Sequence, residues 1–362
     1  MKILLFHTYN QGFLSSFFHE LAKKLMQEGH DVVSFTWKNS KSERIIDGVK
    51  VIVKKKKGYF TNYRNVYIII KKEKPDVILS NFSYVNPALL FGKLLGVKKN
   101  IVWFHSLNEQ MESSVRNVFI KKQFLKLADV VIANSYLTQK ELNTYYAVSK
   151  TKIRAIPFWS TIFDQTIGSS DVNYITNKKV VKIGCPGRMA SHKNQKIIIE
   201  AISKLKNTTD YSFHLYFAGS GEELANLEIL VKTKGLSKDV SFLKHLSANE
   251  MIHFYNQMHV VVLPSLHEAF GLVFIEAIAL GTPVLVSNAF GALGFIDQKQ
   301  FPLEDFSFDP EDVQELIDKL ETYLNYKGLT SDYFKSLYRA TYEKDLIYNQ
   351  VKAVILNQNI SS

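Results

Sequence analysis

Cysteine is almost absent from this 362-residue sequence, with Cys185 the only one. A single thiol excludes a disulfide framework and a cysteine-based zinc site, and it suits a reducing compartment. Long apolar runs are missing as well. No stretch reaches the roughly 18 apolar residues that suggest a membrane-spanning helix. The opening Lys2-Ile3-Leu4-Leu5-Phe6-His7 is too short for a secretory leader. Together these absences predict a cytoplasmic protein. Short-period repeats and low-complexity segments are also lacking. Acidic residues are scarce in one half only. Residues 1–160 carry 26 Lys+Arg against 11 Asp+Glu, and the remainder carries 19 against 23, so +15 and −4 make up the net +11. A basic half joined to a slightly acidic one predicts that the first half alone meets a polyanion, either nucleic acid or an anionic membrane surface.

What is present fits a globular α/β protein. Apolar residues make up 46% and charged residues 22%, and the length predicts two domains. Apolar runs at Ile3–His7, Val32–Thr36, Val49–Val53, 76–80, 100–105 and 129–134 alternate with helical spacing, as at Leu14, Phe17, Phe18, Leu21 and Leu25. Residues 164–173 are small and polar, and a second series of strands follows at 180–184, 214–218, 240–243, 259–263 and 283–287. The alternation predicts parallel βαβ units in open sheets. The expected organisation is an N-terminal domain 1–163, a linker 164–179, a C-terminal domain 180–330, and helices over 331–362 that pack back toward the first domain.

Two segments carry candidate chemistry. Gly184-Cys-Pro-Gly187-Arg188-Met-Ala-Ser-His-Lys193-Asn194 follows the first strand of the second domain. Ligands bind at that end of open α/β sheets, and an Arg fork with a Lys point charge suits a diphosphate. Two solvated loop cations are the plain alternative. Asn194 is expected to cap the next helix. The second segment is Glu268-Ala-Phe-Gly271 followed by an apolar helix, Leu272–Leu280, whose only charge is Glu276. A helix without a polar stripe is buried on all sides. Glu276 must therefore find a hydrogen-bonding partner, whether backbone, an internal Arg or a ligand. Glu268 is either a solvated loop acid or a group beside helix N–H donors that suit an anion.

Gly187-Arg188-x4-Lys193-Asn194 together with Glu268-x7-Glu276 resembles the signature of glycosyltransferase family 4. Phe217-Ala-Gly-Ser-Gly221, Val262-Leu-Pro-Ser265 and Gly281-x-Pro283-Val284 fit the same pattern, densely across 180–290 and more faintly in the first domain at Ala128–Ser135. The resemblance implies the GT-B architecture, two Rossmann-like domains facing across a cleft, and a retaining hexosyltransferase-type enzyme. It assigns Arg188 and Lys193 to the donor diphosphate, Glu276 to the ribose hydroxyls, and Glu268 to the transferred sugar. Backbone N–H groups around Ala269, Phe270, Gly271 and Leu272 lie beside the sugar, and Lys244-His245-Leu246 lies near the base. In the first domain Gly12 approaches the phosphates, and His105 faces the sugar or is a buried structural histidine. The family often has two adjacent glycines where this chain has Asn10-Gln11-Gly12, and Phe158-Trp159 replaces the usual Asn-Gly after the interdomain Pro.

Asp-x-Asp, the metal-binding device of the other major glycosyltransferase fold, does not occur. No metal and no cofactor are expected, because Arg188 and Lys193 supply the charge and the UDP- or GDP-linked sugar is a substrate. Front-side attack is implied, with the acceptor hydroxyl of a glycan or lipid-linked molecule bound by the first domain in bacterial surface polysaccharide or lipopolysaccharide biosynthesis. An anionic membrane surface at the inner face of the cell membrane is an expected partner of the basic domain. Nucleic acid is not, since no recognition motif accompanies the charge. A GT-B epimerase, an α-glucan synthase and a non-catalytic GT-B-like binding partner are the competing readings.

Overall fold

Two series of β-branched runs build two sheets. The computed structural model describes residues 1–10, 12–38, 42–107, 114–162, 180–327 and 329–356. The expected linker 164–179 and Gln11 lie outside them. The chain divides into two compact units, Met1–Thr161 with Lys344–Ser362, and Ile162–Glu343.

The first unit begins β1 (Lys2–Phe6), α1 (Phe13–Gln27), β2 (Asp31–Lys38), β3 (Ser42–Ile46), β4 (Val49–Lys55) and α2 (Tyr59–Glu73). It continues β5 (Val77–Asn81), α3 (Val85–Leu94), β6 (Lys99–Phe104), α4 (Val115–Leu125), β7 (Val130–Ala133), α5 (Tyr136–Thr144) and β8 (Ile153–Ala155). The strand order is β3-β4-β2-β1-β5-β6-β7-β8. All neighbours are parallel except the edge pair β3–β4. β5 and β6 are buried along their whole length, as parallel strands covered on both faces must be. α1 turns Phe17, Phe18, Leu21, Ala22 and Leu25 inward. Burying each of the large ones stabilises the fold by about 1.5–3 kcal/mol. Phe158 stacks on Trp103 with ring centroids 5.3 Å apart, and the Trp159 indole donates to Glu20 at 3.0 Å. Phe158-Trp159 is thus a piece of this unit's aromatic core.

The second unit holds β9 (Val181–Pro186), α6 (Lys196–Thr208), β10 (Phe213–Ala218), α7 (Leu224–Thr233), β11 (Val240–Leu243) and α8 (Ala248–Gln257). Then come β12 (Val260–Leu263), α9 (Leu272–Ala279), β13 (Val284–Ser287), β14 (Ser307–Phe308), α10 (Val313–Thr322) and α11 (Ser331–Tyr342). Its sheet runs β11-β10-β9-β12-β13-β14, all parallel. A last helix, α12 (Lys344–Leu356), returns to the first unit. There Lys344 pairs with Glu20 at 2.7 Å and Lys352 with Glu28 at 3.0 Å. The expected boundary at 330 is therefore corrected. α11 stays with the second unit, where the Tyr342 hydroxyl donates to the Ala292 carbonyl at 2.7 Å, and only α12 leaves.

In each sheet the order reverses beside the first strand, between β1 and β5 and between β9 and β12. The crevice at the carboxyl ends of such a pair is where open α/β sheets take ligands.

Candidate functional site

In the second unit, Arg188 and Lys193 follow β9, and Glu268 and Glu276 follow β12, so both motifs flank the reversal. Arg188 is placed by backbone packing. Gly187 has φ +139, and its N–H donates to the Ala218 carbonyl at 2.9 Å. A Cβ on Gly219 would lie 2.2 Å from the Gly187 oxygen, and one on Gly221 2.1 Å from the Met189 oxygen. The glycines of Phe217-Ala-Gly-Ser-Gly221 thus let the Arg188 loop lie on the β10 loop. The Gln195 amide holds the Arg188 carbonyl at 2.9 Å. The guanidinium itself is exposed and meets Glu222 at 3.0 Å.

Lys193 forms an ion pair with Glu268, and both side chains are largely buried. The plain reading of Glu268 as a solvated acid is corrected by this partner. The Leu266 N–H donates to the His192 carbonyl at 2.8 Å, tying the two loops together. Asn194 does not cap α6. It adopts a left-handed conformation, φ +52, and its amide donates to the Pro310 carbonyl at 2.7 Å.

α9 is capped by Gly271, whose φ is +106 and where an added Cβ would lie 2.2 Å from the Phe290 ring, so no side chain fits. Ala269 and Phe270 are buried, and the Ala292 N–H donates to the Phe270 carbonyl at 2.9 Å. At the start of α9 the Phe274 N–H donates to the Gly271 carbonyl at 3.1 Å, which leaves the Leu272 and Val273 N–H groups without an intrahelical acceptor. The helix is buried except at Leu272, Val273 and Ala279, which are half-buried. Glu276 lies within it and finds its partner in Tyr255, whose hydroxyl donates to Oε2 at 2.8 Å. Burial pushes the Glu276 carboxyl up to about 7, and the Tyr255 bond partly opposes that rise. His245 stands exposed in the loop after β11, beside the β10 loop.

In the first unit, Gly12 is the exposed N-cap of α1 with extended backbone, and its N–H is taken by Asn10 Oδ1 at 2.9 Å. His7 is buried, with Nδ1 3.0 Å from the Thr8 carbonyl and Nε2 3.2 Å from the Ser34 hydroxyl. Burial lowers its ring to about 4. At the ends of β5 and β6, Asn81 and His105 are different. Both amide atoms of Asn81 and both ring nitrogens of His105 are buried without a hydrogen-bond partner among the described residues. Burial lowers His105 to about 3, so the ring is neutral at physiological pH. It lines a cavity of about 330 Å³ with Phe82, Asn86, Ser106 and Lys121.

Sequence reasoning missed Tyr255, Glu222, Gln195 and Asn81. Only Tyr255 left a signal, because an apolar helix with one carboxylate demands a donor on a neighbouring element. Among the described residues no group of three or more His, Cys, Asp and Glu side chains could hold a metal ion.

Two family models match the chain, Glycosyltransferase Family 4 over residues 14–158 and Glycosyl transferases group 1 over residues 171–339. The D-inositol 3-phosphate glycosyltransferase of Corynebacterium jeikeium (strain K411) is 27% identical over 212 residues, 55% of this chain and 51% of that protein. The chain spans about half, or less, of the length of the curated relatives it matches first. Among solved structures, Anabaena HepE in complex with UDP and glucose superposes with a TM-score of 0.79 at 18% identity, covering 99% of this chain and 100% of that one. The sucrose-phosphate synthase of Thermosynechococcus elongatus superposes with a TM-score of 0.77 at 20% identity, covering 99% and 98%. These two share the fold, which is GT-B. With the two models together spanning most of its length, the chain belongs to glycosyltransferase family 4, the group 1 glycosyl transferases.

Proposed function

We propose that this chain transfers a sugar from a UDP- or GDP-linked donor to a hydroxyl of a glycan or lipid-linked acceptor, with retention at the anomeric carbon and without a metal. The reading rests on one observation, the gathering of Arg188, Lys193, Glu268, Glu276 and the α9 N-terminus at the β9/β12 reversal. An arriving diphosphate exchanges Glu222 and Glu268 for phosphoryl oxygens as partners of Arg188 and Lys193. Glu268 is then free to accept from sugar hydroxyls, and Glu276 from the ribose. Charge building on the leaving phosphate meets two cations and the first-turn N–H groups of α9. The leaving phosphate takes the acceptor proton on the same face. His105, kept neutral by burial, contributes hydrogen bonds and not proton transfer.

The acceptor belongs to the first unit, and a role in bacterial surface polysaccharide or lipopolysaccharide biosynthesis, at the inner face of the cell membrane, follows from its basic character. The UDP and glucose bound to HepE, a protein of the same fold, favour a uridine donor. Thermal shift with UDP, GDP and ADP, followed by a transfer assay, tests the reading. Uridine or guanosine diphosphate should raise the melting temperature. Arg188→Ala with Lys193→Ala should lower kcat by about 100- to 1,000-fold, with the fold retained. Full activity in that double variant, or indifference to every nucleotide, would refute the assignment.

A further inference from the structure

The first unit's cations are not equivalent once the chain is folded. Lys99 is buried and donates to the Val354 carbonyl. Lys98 pairs with Asp76 at 2.7 Å. Lys121 turns inward over the Phe104 ring, 5.0 Å from its centroid, and burial holds its ammonium below the usual lysine range. Exposed cations also stand elsewhere on this unit, as at Lys71, Lys72, Lys74 and Lys93, but one group lies beside exposed apolar side chains. Lys55, Lys56 and Lys57 lead into α2, with Arg64 on its second turn, and Arg116 opens α4; all are exposed.

These elements share one face. α2 and α3 pack on the same side of β1, β2, β4 and β5, and α3 and α4 pack together over β6 and β7. The starts of α2 and α4 both lie at the carboxyl end of the sheet. There the apolar side chains point outward: Phe60 is 88% exposed, Val115 87% and Phe119 61%. No Asp or Glu occurs in residues 54–72, 77–107 or 114–128. A solvated charged face has no use for bare phenylalanine and valine beside its lysines. A nucleic-acid groove would stack aromatic rings and has no use for an exposed valine. Cations around projecting apolar side chains, with no acid among the described residues of these segments, fit a headgroup layer over acyl chains.

We propose that the face formed by α2, α3 and α4 docks on an anionic lipid leaflet. Phe60, Val115 and Phe119 enter the headgroup–acyl boundary, and Lys55, Lys56, Lys57, Arg64 and Arg116 meet lipid phosphates. Docking is measured without donor or acceptor, so its outcome is independent of the transfer reaction.

Co-sedimentation with vesicles of phosphatidylcholine, and of equimolar phosphatidylcholine and phosphatidylglycerol, tests this on the full chain. Binding should be at least about tenfold stronger to the anionic vesicles and should fall with added salt. Combined Lys55→Gln, Lys56→Gln and Lys57→Gln should weaken it by about fivefold per lysine. Phe60→Ser with Phe119→Ser should weaken it about tenfold or more while leaving the salt dependence. Lys232→Gln, Lys234→Gln and Lys238→Gln remove the same charge from the exposed surface of the second unit and should change nothing. All these side chains are exposed, and the lysine set decides the matter if the phenylalanine pair fails to fold. Equal binding to both vesicles, the same loss from the second-unit control, or tighter binding to a DNA or RNA oligonucleotide than to anionic vesicles would overturn the proposal.

Discussion

Beside the reversal of strand order in the second unit, every ionised or ionisable side chain assigned to the donor has a protein partner. Arg188 meets Glu222, Lys193 meets Glu268, and Glu276 meets Tyr255. At the ends of β5 and β6 in the first unit, Asn81 and His105 are neutral, and their four buried polar atoms have no partner among the described residues. The contrast follows from the cost of burial. A buried charge without a partner is far more expensive than a buried amide or imidazole. A charged site must therefore carry counter-groups that a ligand later displaces. A neutral site can hold unpaired atoms at a cost of about 1–3 kcal/mol each and still fold.

Glu276 tests the charged half hardest. Its carboxyl titrates near 7 because it is buried, whereas ribose hydroxyls donate best to the ionised form. Nucleotide-sugar affinity should therefore rise with pH, by about tenfold from pH 6 to pH 8. A nucleotide-sugar has no phosphate titrating in that range, so calorimetry reads the protein group. Glu276→Gln should weaken binding at pH 8 and flatten the profile; an unchanged slope would remove Glu276 from the site. The same group reverses sign in stability. Between its unfolded value of 4.5 and about 7 the folded chain binds more protons, so this contribution to stability falls as pH rises through that window. At pH 8 Glu276→Gln should melt at or above the native temperature while binding worse.

Tyr255 sharpens the same half with a smaller effect. Its hydroxyl reaches Glu276 at 2.8 Å, and Thr282 holds its carbonyl at 3.2 Å. A bond to a charged group contributes about 1.5–3 kcal/mol. Tyr255→Phe should raise the donor KM about tenfold or more and move the acid limb of activity to higher pH, because the bond that lowers the Glu276 value is gone. An unchanged profile would make Tyr255 a packing residue only.

The two halves also differed in how far the sequence revealed them. The parallel strands were legible as apolar runs because both of their faces are buried. β3, exposed in its middle and half-buried at its ends, and the two-residue β14 carry no such pattern. Arg188, Lys193, Glu268 and Glu276 stood out because charge next to a strand end or inside an apolar helix needs a reason. Their mutual pairing did not, since Lys193 and Glu268 are 75 positions apart. Asn81 was invisible, being one more polar residue at the end of an apolar strand. Asn194 misled because an Asn before a helix usually caps it, and only the backbone turn shows that this one faces Pro310.

The smallest effect comes from the neutral half and has the opposite direction. Asn81 is fully buried, and neither its amide nitrogen nor its oxygen has a partner among the described residues. Leucine has nearly the same shape and no polar atom to satisfy. Asn81→Leu should therefore stabilise the first unit by about 1–3 kcal/mol in denaturant unfolding, with nucleotide affinity unchanged because Arg188, Lys193 and Glu276 lie in the other unit. If Asn81 exists to meet a substrate hydroxyl, the same variant must lose acceptor affinity as it gains stability. A more stable protein with undiminished acceptor binding would make Asn81 a structural residue. A less stable one would mean that the amide is satisfied in solution, and the contrast between the two reversal points would then rest on His105 alone.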